Sequence, residues 1–259
     1  MYEAGGPCEP EQGLAVPGLW TFSIRRDKLP MRIRRLHDWN LAPKEARLVQ
    51  QDLRRRVRTT GGLTRVRWVA GADVAFAHRR SDRMYAGVVV LSFPDLKIVE
   101  QVVVEGPVTF PYVPGLLSFR EAPVLLRAFA MIGQEPDVIF IDGHGLAHPR
   151  RFGLACHIGL LLGKPVIGCA KSLLIGTYRE PAQSRSSESS LTDSEDNVIG
   201  AVVRSRARVK PIFVSVGHRI SLKAAVRLTL ACTKGFRIPE PTRQADLLAE
   251  RAKRGVDGA

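Results

Sequence analysis

The order of apolar and amphipathic segments in this 259-residue chain predicts an α/β protein built on a mixed sheet. Three observations carry that expectation. Strand-like runs stand before, between and after helical periods. One short run, residues 138–141, is wholly apolar, as in a strand covered on both faces. Pro94-Asp95 makes a tight turn between two neighbouring strand-like runs, so part of the sheet is antiparallel.

Residues 1–30 are rich in Gly and Pro, carry Glu3, Glu9 and Glu11, and hold no sustained period. They predict a disordered extension without the basic-then-apolar order of a secretory signal. Met31 is a candidate natural start, which the intact mass from the native host would settle. Residues 31–255 form the expected domain, with 256–259 as a tail. Ala46, Val49, Leu53 and Val57 recur at helical spacing after Pro43, with Arg54, Arg55, Arg56 and Arg58 beside them. Residues 66–76, 85–93 and 97–105 read as a strand meander, and 118–132 as a helix. Strand 138–141, helix 151–162 and strand 165–170 follow. Two further strands are expected at 198–204 and 212–216, and helices at 221–232 and 242–252. Residues 181–197 hold six Ser and four acids with almost nothing apolar, which predicts a flexible loop. Three strands, helix, strand, helix, strand is the order of the RNase H-like fold, in one domain with helices flanking the sheet.

Lys and Arg outnumber Asp and Glu by 39 to 25, a net charge of +14. That excess points to a polyanion such as nucleic acid, because each neutralised phosphate releases counterions. Membrane partners are disfavoured, since no apolar run is long enough to span a bilayer. Cys8, Cys156, Cys169 and Cys232 are scattered, which argues against zinc and suits free thiols in a reducing cytoplasm.

Asp73 stands inside an apolar strand, where an acid is expensive to bury unless it is paired or holds a cation. Asp142 ends an apolar central strand, where α/β sheets place their ligand sites; a turn or helix-capping role is the alternative. Glu121 fits a capping box with Ser118, yet it shares a stripe with Leu125, Ala128 and Ile132 and so faces the sheet. In an RNase H-like sheet these acids converge. Crowded carboxylates favour Mg²⁺, with Mn²⁺ as a substitute, and metal-activated water as the nucleophile for a phosphodiester.

The segments that follow resemble endonuclease V: Gly71-Ala72-Asp73-Val74-Ala75-Phe76, Pro111-Tyr112-Val113-Pro114-Gly115 running on through Leu117 to Glu121, and Asp142-Gly143-His144-Gly145-Leu146-Ala147-His148-Pro149-Arg150. So do Gly168-Cys169-Ala170-Lys171-Ser172, Gly217-His218 and Pro239-Glu240-Pro241-Thr242-Arg243. The likeness runs from about residue 32 to 255, and Phe76 stands where the family often has tyrosine. The resemblance implies cleavage of the second phosphodiester 3′ to a deoxyinosine, leaving the lesion in place with 3′-hydroxyl and 5′-phosphate ends. It implies Asp73 and Asp142 as metal ligands and Glu121 as a third acid. Tyr112, stiffened by Pro111 and Pro114, is the implied wedge beside an extruded base; a rigid turn with a packed tyrosine is the alternative. Gly143, Gly145, Gly153 and Leu117 are the implied base pocket, although the glycines at 143 and 145 also suit a plain turn. Lys171 is expected to orient water or stabilise the phosphate, and His148 to handle a proton or touch phosphate. His218 is expected near the same site, His157 in the core and His37 at the surface. The expected enzyme acts as a monomer on inosine-containing DNA or RNA. An inosine-specific ribonuclease, a junction resolvase on the same fold and a non-catalytic nucleic-acid-binding module are the competing readings.

Overall fold

The computed structural model describes residues 31–77 and 82–257. The extension expected over 1–30 lies outside them. β1 (Trp68–Phe76) pairs antiparallel with β2 (Arg83–Ser92) and in parallel with β4 (Val138–Ile141). The segments apolar on both faces are therefore the ones with neighbours on both edges. β3 (Ile98–Pro107) closes one edge against β2, and β5 (Val166–Ala170) continues the parallel run beyond β4. The sheet then turns antiparallel through β8 (Ile212–His218), β7 (Val198–Val203) and β6 (Glu188–Thr192). The order is β3-β2-β1-β4-β5-β8-β7-β6. An antiparallel meander joined through β1 to parallel neighbours is the RNase H-like arrangement.

Helices α2 (Leu117–Ala130) and α3 (Leu154–Leu162) cover one face, and α4 (Leu222–Ala231) and α5 (Glu240–Asp257) the other. The period of two in β1 sorts its residues between them. Ala70 and Ala72 join Ala122, Leu125, Phe129 and Leu154 in one core, whereas Val69 joins Ala224, Leu228 and Ala245 in the other. A fully buried Leu or Phe such as Leu125 or Phe129 stabilises by about 1.5–3 kcal/mol, so these two layers fix the register of β1. α1 (Pro43–Leu53) lies along α3, with Leu53 packed on Phe152, Cys156 and Leu160. It starts at Pro43, with the Ala42 N–H donating to Glu45 Oε2 at 2.7 Å.

Three expectations are corrected. Within 181–197 the chain forms strand β6 and not a loop throughout, although Leu191 is the one buried residue of that strand. Cross-strand bonds to β7 hold it, and the buried Arg204 guanidinium ties the segment down by donating to Glu180 Oε1 (2.6 Å), Pro181 O (2.8 Å) and Ala182 O (3.1 Å). α3 begins at Leu154 and not near 151, because Gly153 takes an extended N-cap conformation. α5 runs on to Asp257, through half of the expected tail.

Candidate active site

Asp73 has the parity of Val69 and Gly71 in β1, and Asp142 has the parity of Val138 and Phe140 in β4. Both therefore lie on the α5 side of the sheet. They also lie side by side where the parallel pairing of β1 with β4 ends, with the Asp142 N–H donating to Ala72 O at 3.2 Å. α5 is seated unusually low over this point. A Cβ on Gly71 would stand 1.9 Å from Pro241 O, and one on Gly87, the cross-strand partner of Asp73, 2.7 Å from Ala245 O. Only glycine allows that approach. It carries Asp246 to Asp73 and Asp142, and one carboxylate oxygen from each of the three lies within 4.8 Å of the others.

The electrostatics follow from this crowding. Burial, then the charge of Asp142, raises Asp73 to about 9, opposed by the Val74 N–H (2.8 Å) and Lys171. Burial also raises Asp142, against the hydrogen bond and charge of Lys171. Lys171 Nζ is 2.6 Å from Asp142 Oδ2 and 3.4 Å from Asp246 Oδ1. Burial works against the ammonium, but Asp142, Asp73 and Asp246 outweigh it and hold its pKa above the ordinary value. Three hard oxygen donors within 4.8 Å of one another, too acidic a group for one lysine to neutralise, fit a divalent cation with oxygen preference.

Glu121 is not one of this group. It sits in the first turns of α2, 8 % exposed, on the face of the sheet opposite α5. Burial and the charge of Asp142 raise it to about 8, so it stands within electrostatic reach of the site. The capping-box alternative fails as well: α2 starts at Leu117 without a side-chain cap, and the buried Ser118 hydroxyl has no hydrogen-bond partner.

The loop carrying Pro111, Tyr112 and Pro114 projects Tyr112 into solvent at 73 % exposure, with Leu117 partly exposed at its base. Its anchor is one carbonyl, Gly115 O. Gln50 Nε2 (3.0 Å), His148 Nε2 (3.0 Å) and Arg150 Nη2 (2.6 Å) all donate to it. His148 thus anchors this loop. Its Nε2–H is committed to Gly115 O, its Nδ1 accepts from the Arg150 N–H at 3.2 Å, and burial followed by the Arg150 charge pushes it down to about 4.

Gly145 and Gly153 are needed for packing within the chain. A Cβ on Gly145 would meet Val216 O at 2.1 Å, and one on Gly153 would meet His144 O at 2.2 Å. Gly143, at φ +150°, is where the backbone turns after Asp142. His218 lies elsewhere. β8 runs antiparallel to β5, so Phe213 pairs with Ala170 beside Lys171 while His218 pairs with Val166 at the far end of the sheet. His157 is buried as expected, but His37 is not a free surface group: its ring nitrogen meets His157 Nε2 at 2.7 Å.

The sequence model of endonuclease V matches residues 51–247. The chain belongs to the endonuclease V family. It is 49% identical over 213 residues to the endonuclease V of Gloeobacter violaceus, covering 81% of this chain and 86% of that protein. The crystal structure of the enzyme from Streptomyces avermitilis superposes with a TM-score of 0.80 at 43% identity, over 88% of this chain and 99% of that one. A Ciona intestinalis endonuclease V, 28% identical with a TM-score of 0.76, covers 83% of this chain and 100% of its own, and was crystallised with a 23mer DNA containing an inosine followed by a ribo-adenosine. Family motifs drew attention to residues 239–243 but stopped short of Asp246. The signal for Asp246 was present: it interrupts the stripe of Thr242, Ala245 and Ala249, all fully buried. Gln50 and Arg150 were also missed, because nothing local marks a side chain that anchors a distant carbonyl. Among the described residues no helix is long and apolar enough to cross a membrane.

Proposed function

We propose that this chain is an endonuclease of inosine-containing nucleic acid, acting on the second phosphodiester 3′ to deoxyinosine, with Asp73, Asp142 and Asp246 as the residues that hold Mg²⁺ (or Mn²⁺). The observation that carries the reading is the carboxylate group, whose oxygens lie within 4.8 Å of one another on the α5 side of the sheet. When bound, such an ion supplies Lewis acidity at the scissile phosphate. Hydrolysis adds water across the P–O3′ bond and leaves 3′-hydroxyl and 5′-phosphate ends. Lys171, bonded to Asp142, keeps a positive charge beside the developing phosphate charge. Glu121 acts behind Asp142 and holds a proton near neutral pH. Tyr112 parts the stacked bases, and the Gly115 anchor keeps its loop stiff while it does so. Gly143 and Leu117 border the slot for the extruded base. The buried free thiols at 156, 169 and 232 support a cytoplasmic setting.

The ribo-adenosine in the DNA bound by the Ciona relative favours testing a ribose at that step as a second substrate. Full-length protein is incubated with DNA, RNA and single-ribonucleotide strands, each with and without inosine, in Mg²⁺, Mn²⁺ or chelator. The proposal expects metal-dependent cutting one nucleotide beyond the inosine linkage. Equal cutting of inosine-free strands, or cutting in chelator, refutes it.

A further inference from the structure

At the end of the sheet remote from the carboxylates, a cavity of about 500 Å³ is lined by Arg34, Arg55, Arg56, Arg58, Arg219 and His218. Local structure explains how the cations collect there. Arg54–Arg56 forms a single 3-10 turn after α1, and the Arg58 N–H donates to His218 Nδ1 at 3.2 Å. Arg219 returns an N–H to Arg58 O at 2.7 Å and donates Nη1 to Gly163 O at 2.8 Å. Arg34 donates its N–H to Leu161 O at 2.8 Å, and its guanidinium lies over Gly163, where an added Cβ would meet Nη2 at 2.6 Å. Gly163 closes α3, so the negative pole of that helix holds two of the guanidiniums.

Among the described residues, no carboxylate lines the cavity. Burial, followed by the charges of Arg219, Arg34 and Arg58, pushes His218 down to about 4, so this ring adds no charge at neutral pH. Beyond the pole of α3 the guanidiniums of this concave wall have no carboxylate facing them, and their forked donors match phosphate oxygens. A basic path leads to it. Gln50, which holds the base of the Tyr112 loop, stands in the last turn of α1, and the chain runs from it through the exposed Arg54 directly into the cavity wall, while Lys44 and Arg47 are exposed on the earlier turns of α1.

We infer that this arginine-lined cavity is a second nucleic-acid site, which takes backbone phosphates several nucleotides away from the cleaved bond and is reached along α1. Five residue steps of β8 separate the position beside Ala170 from His218. At about 3.3 Å per residue that is roughly 15–20 Å, or about five nucleotide steps of 3.4 Å in a duplex. The inference rests on the nuclease reading but is measurable without it.

The test uses the full chain carrying R55Q/R56Q and, as an overlapping pair that shares Arg56, R56Q/R58Q. Inosine strands are lengthened stepwise on the 5′ side in one set and on the 3′ side in another. For one side, wild-type KM should fall once the strand passes about five nucleotides, and in both variants that gain should vanish with kcat unchanged. The logarithmic salt slope should drop by about 1.4 to 1.8, since each of the two removed charges leaves one phosphate unneutralised, at about 0.7 to 0.9 apiece. Unchanged KM and slope at every length overturns the inference. So does an equal loss on the shortest and longest strands, or competition by inorganic phosphate without any length effect, which would mark a free-anion site. Anisotropy binding to an inosine-free duplex separates the two proposals. If wild type cuts no inosine strand yet the variants lose salt slope in binding, the cavity stands and the nuclease reading falls; unchanged binding removes the cavity.

Discussion

Glu121→Gln should stabilise the protein in chelator, and by more as the pH rises. Burial and the charge of Asp142 raise this carboxyl from 4.5 to about 8 on folding. A folded state that binds the proton more tightly is favoured in full below the unfolded value, and that advantage drains away as pH climbs through the folded value. The window is therefore about 4.5 to about 8, within which wild-type stability falls with pH. At about 1.4 kcal/mol per unit, moving from about pH 6 to about pH 8 should cost wild type roughly 2–3 kcal/mol through this one group. Glutamine keeps the volume and has no charge to desolvate. Asp73 is raised in both proteins, so its contribution largely cancels in the difference. Urea unfolding with chelator at about pH 6, 7 and 8 gives the stability gap between variant and wild type. The gap should widen by roughly 2–3 kcal/mol across the series. Parallel pH profiles for the two proteins would show that Glu121 is not held protonated by the fold, and the electrostatic link between α2 and Asp142 would go with it.

Asp246→Asn should weaken Mg²⁺ binding as much as Asp73→Asn or Asp142→Asn, and more than Glu121→Gln; calorimetric titration ranks the four, and an unchanged affinity for the Asp246 variant removes it from the ligand set. Tyr112→Ala should leave the unfolding free energy within about 0.5 kcal/mol of wild type, because the side chain is 73 % exposed. The same change should lower kcat/KM on inosine duplexes more than on inosine single strands, where no stack needs parting, and equal losses on both would contradict the wedge.

The layers were legible because they rest on periodicity. Residues 138–141 are apolar at every position, and β4 is covered on both faces; the helical stripe of Leu125 and Phe129 points where its spacing says. β6 was not legible, since Glu188–Thr192 has one inward apolar residue and is held by Arg204 and by β7, which are partners distant in sequence. His218 failed for a different reason. A strand's residues can be read from its pattern, but its direction cannot, and the antiparallel course of β8 decides which end of the sheet His218 occupies.

The carboxylates show how far local pattern reaches into a site. Asp73 and Asp142 are conspicuous because each interrupts an apolar strand. Glu121 earned equal standing from a helical stripe that does point at the sheet. What the stripe leaves open is which face of the sheet receives it, and α2 lies on the face away from the two aspartates' side chains. The third close oxygen comes instead from α5, which reaches Asp73 only because Gly71 and Gly87 leave room for its backbone. Those glycines sit in strands, where glycine is normally unfavourable, at the two positions that α5 crosses. A pair of strand glycines flanking a partly buried acid therefore marks a close backbone approach over that acid. The helix to inspect for the missing ligand is the one with a small-residue stripe that can use such a gap, and here that stripe is Thr242, Ala245 and Ala249, with Asp246 inside it.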